Sequence, residues 1–370
     1  GLAKDELDCL YEQAQFQPII GNLKDEGGQP EWAKSYLVHK TKAGTKIAFL
    51  AYTFPYYLTY APNGWQVLEP MARLEEDLAR PEVKAADLVI VLSHLGVRYD
   101  EQIAETYPQV NLVIGSHTHH LFEEGKLINE TYLAAADRYG YYLGCIDLAV
   151  ENGQLIACQI EAIPTKSYIF DLDKEDETFI KAMREEGHRR LAQKKVANLG
   201  RELDFDETCQ LVLQAVCQET DSQLTLLNTG LIMKTMGPQV TMADLQEALP
   251  HQMRMARLVV TGQELKEICR EVFTKAELLK NQAIKGMGFR GKTFGEVITG
   301  NFAYKNGNLL YNSRVVDSNE KFSLVLVDQY YFASYFPTIK EKEVTLLFPD
   351  LLRELVAKYL RKNGADWDKR

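Results

Sequence analysis

A chain of 370 residues, 46% hydrophobic and 25% charged, is long enough for two domains and has the make-up of an ordinary globular protein. Its formal net charge of -10 excludes a surface for a nucleic-acid polymer, which needs a basic stripe, and no apolar run approaches a membrane span. Six cysteines without Cys-x-x-Cys spacing point to reduced, mostly buried thiols, and so to the cytoplasm, rather than to a disulfide framework or a zinc knot.

Residues 4–14 place leucine and tyrosine at helical spacing, which predicts a helix leading into a strand at 17–22. After a polar Gly27-Gly28 loop, 36–40 and 46–53 read as a hairpin pair. A tyrosine-rich loop at 55–64 and an amphipathic helix at 71–79 follow. The runs 87–92 and 110–115 are short and β-branched, as buried strands of a parallel sheet are, and a short helix at 102–108 between them is closed by Pro108. They form a βαβ unit. Strands at 127–137, 140–150 and 154–162 come next, the last two joined by the turn signal Glu151-Asn152-Gly153.

Each run of the βαβ unit ends in histidine: Ser93-His94-Leu95-Gly96 after the first, Ser116-His117-Thr118-His119 after the second. Ligands bind at the carboxyl ends of adjacent parallel strands, so His94, His117 and His119 are expected on one rim, as a metal site requires. His120 would face the other way if the backbone there is extended. His39, His188 and His251 have no partners in the sequence and read as structural.

From 173 to 198 the composition shifts to Lys, Glu, Arg and Gln with sparse apolar residues, an exposed helix that reads as a bridge between domains. Helices are then expected at 207–219, 242–249, 262–279 and 350–363, with strands at 225–228 and 322–327. No internal repeat or low-complexity tract is present.

The elements Ser-His-Leu-Gly and Ser-His-Thr-His resemble the second half of the calcineurin-like metallophosphoesterases. Within them the resemblance is to the branch with 5′-nucleotidases, UDP-sugar hydrolases and 2′,3′-cyclic-nucleotide phosphodiesterases. It covers nearly the whole chain, through 46–55, 139–148 and Asn228-Thr-Gly-Leu-Ile232. The doubled His119-His120 and the stretch Gly286-Met-Gly-Phe-Arg-Gly291 are similar to a soluble Gram-positive subgroup. The resemblance implies the later part of a four-layer αββα sandwich at 1–165, a linker helix at 166–200 and a 5′-nucleotidase C-terminal α+β domain at 201–370. It also implies a pair of divalent metal ions about 3.5–4 Å apart that activates hydroxide for in-line attack. His94 and His117 would bind one ion and His119 the other, with Mn, Zn, Fe and Co all compatible with imidazole.

The family's Asp-x-His, Gly-Asp and Gly-Asn-His/Asn-Glu elements are missing here: no histidine has aspartate two positions before it, and no Gly-Asp dipeptide occurs. The expectation is therefore a portion of a longer protein, inactive alone, with the catalytic residues and bridging carboxylate upstream, where a targeting signal would also lie. In the second domain the resemblance implies a nucleotide pocket, but Met233 stands where the family has arginine, and Ala333-Ser-Tyr-Phe-Pro337 lacks the family's glycines. Asn228, Arg254, Arg257, Phe289, Arg290 and Phe336, with Tyr331, are the candidates to hold the substrate. The implied partner is a small nucleotide or related phosphate ester, with no nucleic-acid polymer and no membrane. The competing expectation is a catalytically silent nucleotide-binding module.

Overall fold

The structure is a computed structural model that describes residues 4–167, 174–284 and 289–364. Of the stretch 286–291, residues 286–288 lie outside the described residues, as do 168–173 of the expected linker and 1–3 of the first domain. The chain divides into two compact units, Gly1–Asp173 and Lys174–Arg370.

In the first unit, helix α1 (Lys4–Glu12) precedes strands β1 (Tyr36–Lys40) and β2 (Lys46–Thr53). Helix α2 (Pro70–Leu78) leads to β3 (Leu88–His94), helix α3 (Val97–Thr106) and β4 (Leu112–Gly115), then β5 (Lys126–Ile128) and β6 (Thr131–Ala134). These six strands form one sheet in the order β1-β2-β3-β4-β6-β5. The inner pairs β2–β3, β3–β4 and β4–β6 are parallel, and both edges close with antiparallel hairpins. Parallel strands must be covered on both faces, and these are. One face packs Leu50, Val89, Val91 and Val113 against Leu74 of α2 and Ile103 of α3. The other packs Ile90, Leu112 and Ala134 against the long hairpin β7 (Tyr142–Glu151) and β8 (Gln154–Pro164), through Ile146, Leu148 and Ile160.

Two expectations change here. The strand at 17–22 is reduced to an isolated bridge between Ile19 and Lys34, with Leu23–Lys24 paired to Gln66–Val67 instead. The run at 127–137 is split, because Asn129 adopts a left-handed φ of 52° and turns the chain into the β5–β6 hairpin.

The second unit starts with α4 (Lys174–Ala192), β9 (Lys195–Asn198), α5 (Phe205–Glu219) and β10 (Leu224–Asn228). It continues through β11 (Gln239–Thr241), α6 (Met242–Ala248), β12 (Arg254–Thr261), α7 (Gly262–Leu279) and β13 (Val297–Gly300), and ends with β14 (Lys321–Val327), β15 (Thr345–Leu351) and α8 (Leu352–Asn363). Its five-stranded sheet runs β13-β10-β14-β12-β15. The helix expected to bridge the domains packs on α6, with His188 Nε2 3.5 Å from Glu247 Oε1, and β9 pairs with β11. Residues 174–198 thus group with the second unit. Strand β12, in the sheet interior, was not expected: Arg254 and Arg257 interrupt its apolar pattern, yet Met255, Ala256, Leu258 and Val260 are buried.

Of the cysteines, Cys209, Cys217 and Cys269 are buried and free, Cys158 is half-buried, and Cys9 and Cys145 are exposed. Burial therefore covers half of them rather than most. It pushes the Cys269 thiol up to about 12, so that thiol stays protonated and unreactive. Among the described residues no helix is long and apolar enough to cross a membrane.

Candidate functional site

Parallel register brings three strand ends together. Thr53 of β2 lies beside His94 of β3, and Ser93 beside Gly115 of β4. The loops leaving these ends carry Phe54 and Tyr56, Leu95 and Gly96, and Ser116 to His120. Gly96 has a φ of 93°, and a Cβ there would lie 2.8 Å from Thr118 Cγ2 and 3.3 Å from His117 Cδ2. Only glycine lets the two histidine loops approach this closely.

His94 and His117 meet directly, with His94 Nε2 3.3 Å from His117 Nδ1 and ring centroids 5.0 Å apart. Their hydrogen bonds assign tautomers. The Ser116 hydroxyl donates to the Ser93 carbonyl at 3.2 Å, so its oxygen accepts from His94 Nδ1 at 2.8 Å. That leaves the lone pair of His94 on Nε2, facing His117. Tyr56 OH lies 3.3 Å from His117 Nε2, and Phe54 stacks on the His117 ring at 4.9 Å and 16°.

Burial, then the nearby His119, lowers the pKa of His94. Burial, then His94 and His119, lowers that of His117. All three imidazoles thus share one electrostatic neighbourhood, and the first two are kept neutral, the form that binds metal. His117 and His119 have φ of 69° and 53°. A left-handed conformation costs about 1–2 kcal/mol per residue, so the loop geometry is held by its surroundings. The same turn overturns the premise for His120: the backbone is not extended, and His120 Nδ1 lies 2.9 Å from Thr118 Oγ1.

Beneath the rim, Asp100 of α3 is buried and accepts a hydrogen bond from Ser93 Oγ. Burial pushes its carboxyl up to about 6. A Cβ on Gly115 would collide with this carboxylate, so glycine at the end of β4 lets α3 pack there.

The imidazoles are neutral and two nitrogens converge, which suits a divalent transition metal. Among the described residues, however, no group of three or more His, Cys, Asp and Glu could hold an ion.

In the second unit the candidates are dispersed. Asn228 is fully buried, with Tyr330 OH donating to its Oδ1 at 2.6 Å and its Nδ2 donating to the Phe294 carbonyl. Phe336 is fully buried against Tyr330 and Phe294, at centroid distances of 5.2 and 6.3 Å. Both build the core rather than a ligand surface. Arg257 donates to Ser222 Oγ at 3.2 Å and to the Thr220 carbonyl, in a recess lined also by Glu219, Asp221 and Asp350, a poor setting for phosphate. The Arg254 guanidinium lies 4.8 Å above the Phe348 ring.

Only Phe289 and Arg290 come together, and they do so around His251, which the sequence had marked as structural. Phe289 stacks on its ring at 4.7 Å and 22°, and the Arg290 amide donates to His251 Nδ1 at 2.9 Å. Burial takes the His251 imidazole down to about 4, so it is neutral and accepts that bond. Tyr56 and Phe54 were missed as site residues. The tyrosine-rich loop was visible in the sequence, but its place against His117 follows from strand register.

The rim suits a metal-dependent hydrolase, and the chain belongs to the metallophosphoesterases, enzymes that hydrolyse phosphoric esters, with a fold like that of solved nucleotidases. It is 31% identical over 377 residues to the uncharacterized metallophosphoesterase YunD of Bacillus subtilis, spanning 96% of this chain and 80% of that protein. Among solved structures it is similar to a putative 5′-nucleotidase from Staphylococcus aureus crystallised with alpha-ketoglutarate, with a TM-score of 0.64 and 14% identity over 98% of this chain and 79% of that one. It is also similar to the NAD nucleotidase NadN of Haemophilus influenzae, with a TM-score of 0.60 and 14% identity over 97% and 79%. No family model matches the chain.

Proposed function

We propose that this chain supplies the histidine rim of a metal-dependent hydrolase acting on nucleotides or related phosphate esters, and that the rim is an incomplete metal site by itself. The observation that carries the reading is the convergence of His94 Nε2 and His117 Nδ1, 3.3 Å apart, with Ser116 fixing the His94 tautomer. Similarity to a metallophosphoesterase, and in fold to two nucleotidases, supports the substrate class. His94, His117 and His119 are the proposed ligands, and Arg290, exposed beside the buried pair Phe289 and His251, is the candidate of the second unit still open to a substrate. The ester itself would be one of small molecules rather than of a polymer, given the acidic charge.

The test is a titration with cobalt(II), followed by its visible absorbance, on the chain and on His94→Ala and His117→Ala. Weak binding to the chain, lost in both variants, is expected. Binding unaltered by either substitution would remove the histidines from the site. The donor set short of three favours a second reading, a silent nucleotide-binding module. That reading would replace the first if AMP bound while cobalt ignored the histidines.

A further inference from the structure

The hydrogen bonds of the rim all run in one direction, and they start from Tyr56. His94 Nδ1 donates to Ser116 Oγ, so His94 Nε2 keeps its lone pair and faces His117 Nδ1 at 3.3 Å. His117 Nδ1 therefore carries the hydrogen, because a second lone pair there would oppose the first. Its Nε2 is then bare and accepts from the Tyr56 hydroxyl, 3.3 Å away. Tyr56, His117, His94 and Ser116 form one relay that finishes on the Ser93 carbonyl.

Tyr56 is held in this place by the strand it follows. Thr53 N–H donates to Asn22 Oδ1 at 2.9 Å, Asn22 Nδ2 donates to the Thr53 carbonyl at 2.8 Å, and Asn22 is fully buried. The next amide, that of Phe54, donates to the His94 carbonyl at 2.9 Å and ties the loop to the histidine strand. Phe54 stacks on His117 and sets the plane of the ring, while the Tyr56 hydroxyl marks one edge of it.

A ligand imidazole keeps its orientation and basicity through the partner of its second nitrogen. An ion that takes the Nδ1 lone pair of His117 leaves the hydrogen on Nε2. A hydroxyl suits both states, since it donates to a bare nitrogen and accepts from a protonated one. We propose that Tyr56 is a positioning residue for His117: its hydroxyl partners Nε2 with or without an ion and so presents Nδ1 to the metal. The proposal rests on the reading of the rim given above.

The test compares Tyr56→Phe, which keeps the ring against Phe54, with Tyr57→Phe, the same change at an exposed neighbour. NMR of the imidazole nitrogens in the metal-free chain should show His117 with its hydrogen on Nδ1 and a hydrogen-bonded Nε2. Tyr56→Phe should move the Nε2 signal toward that of an unbonded imidazole nitrogen, and Tyr57→Phe should leave it in place. Cobalt(II) should bind Tyr56→Phe about ten-fold more weakly, at an unchanged melting temperature. An unmoved Nε2 signal or the wild-type cobalt Kd in Tyr56→Phe overturns the proposal. So does a hydrogen on Nε2 in the wild-type chain, which decides the matter even if the variant folds poorly. Cobalt binding that survives His94→Ala and His117→Ala removes the reading of the rim and this role with it, a pattern distinct from the others.

Discussion

Polar and aromatic side chains meet opposite fates in the two units. At the rim of the first, His94 and His117 stand at strand ends with partners that fix their rings and leave nitrogens facing each other. In the second, Asn228 and Phe336 point inward, and every hydrogen-bonding end of the Asn228 amide is consumed by the core. The difference teaches that residue type suggests a ligand-binding role, while the prior claims of neighbours decide whether any capacity is left over. The strand ends of the rim leave imidazole nitrogens uncovered by the core, whereas the Asn228 amide at the end of β10 is taken up by Phe294 and Tyr330.

The sharpest break of this comparison is Asn228→Leu. It leaves Tyr330 OH and the Phe294 carbonyl buried without their partner, and an unsatisfied buried group costs about 1–3 kcal/mol. A loss of about 3 kcal/mol in urea unfolding of the second unit is expected, with cobalt binding at the rim unchanged. A substrate-binding asparagine would show the reverse pattern.

The next largest effect concerns Asp100. Its folded pKa of about 6 lies above the ordinary carboxylate value, so the native state holds its proton more tightly than the unfolded chain. Stability from this group is complete below about pH 4 and is lost as pH rises toward 6. Asp100→Asn, which still accepts from Ser93, should therefore stabilise the chain at pH 7 by about 1–3 kcal/mol and make no difference at pH 4. Thermal unfolding at the two pH values checks this, and an equal gain at both would refute the assignment.

A smaller effect is expected on the outer face of the β7–β8 hairpin, where Leu143 is 65% and Ile156 61% exposed. Open apolar strand surface invites association. The chain should self-associate at high concentration in sedimentation velocity, and Leu143→Lys with Ile156→Lys should shift it toward monomer without lowering its melting temperature. A wild-type chain that stays monomeric would show this face to be harmless.

The smallest separates the arginines. Arg257 is engaged at Thr220 and Ser222, and Arg254 over Phe348, so only Arg290→Ala should weaken AMP binding, by a few-fold. Equal effects at all three positions in a calorimetric titration would restore them as one cluster.

Much of the first unit was legible because its signals are local. The β-branched runs before His94 and His117, Pro108 and the turn Glu151-Asn152-Gly153 each act within a few residues, and the family motif lies in the same stretch. Strand β12 was illegible because its arginines find their neighbours far off in the chain, Arg257 at Thr220 and Ser222 and Arg254 over the Phe348 ring. The split at Asn129 was hidden because the apolar pattern runs straight through a left-handed turn.

The sequence by itself determined the family, the two histidine elements at strand ends and the absence of a third set of metal donors in recognisable motifs, since these are properties of residue order. Only the tertiary structure decided that Ser116 fixes the His94 tautomer, that Tyr56 meets His117, and that Asn228 and Phe336 are core. Hydrogen-bond capacity and surface area are finite, and which neighbour uses them up depends on strand register and packing between residues far apart in the chain.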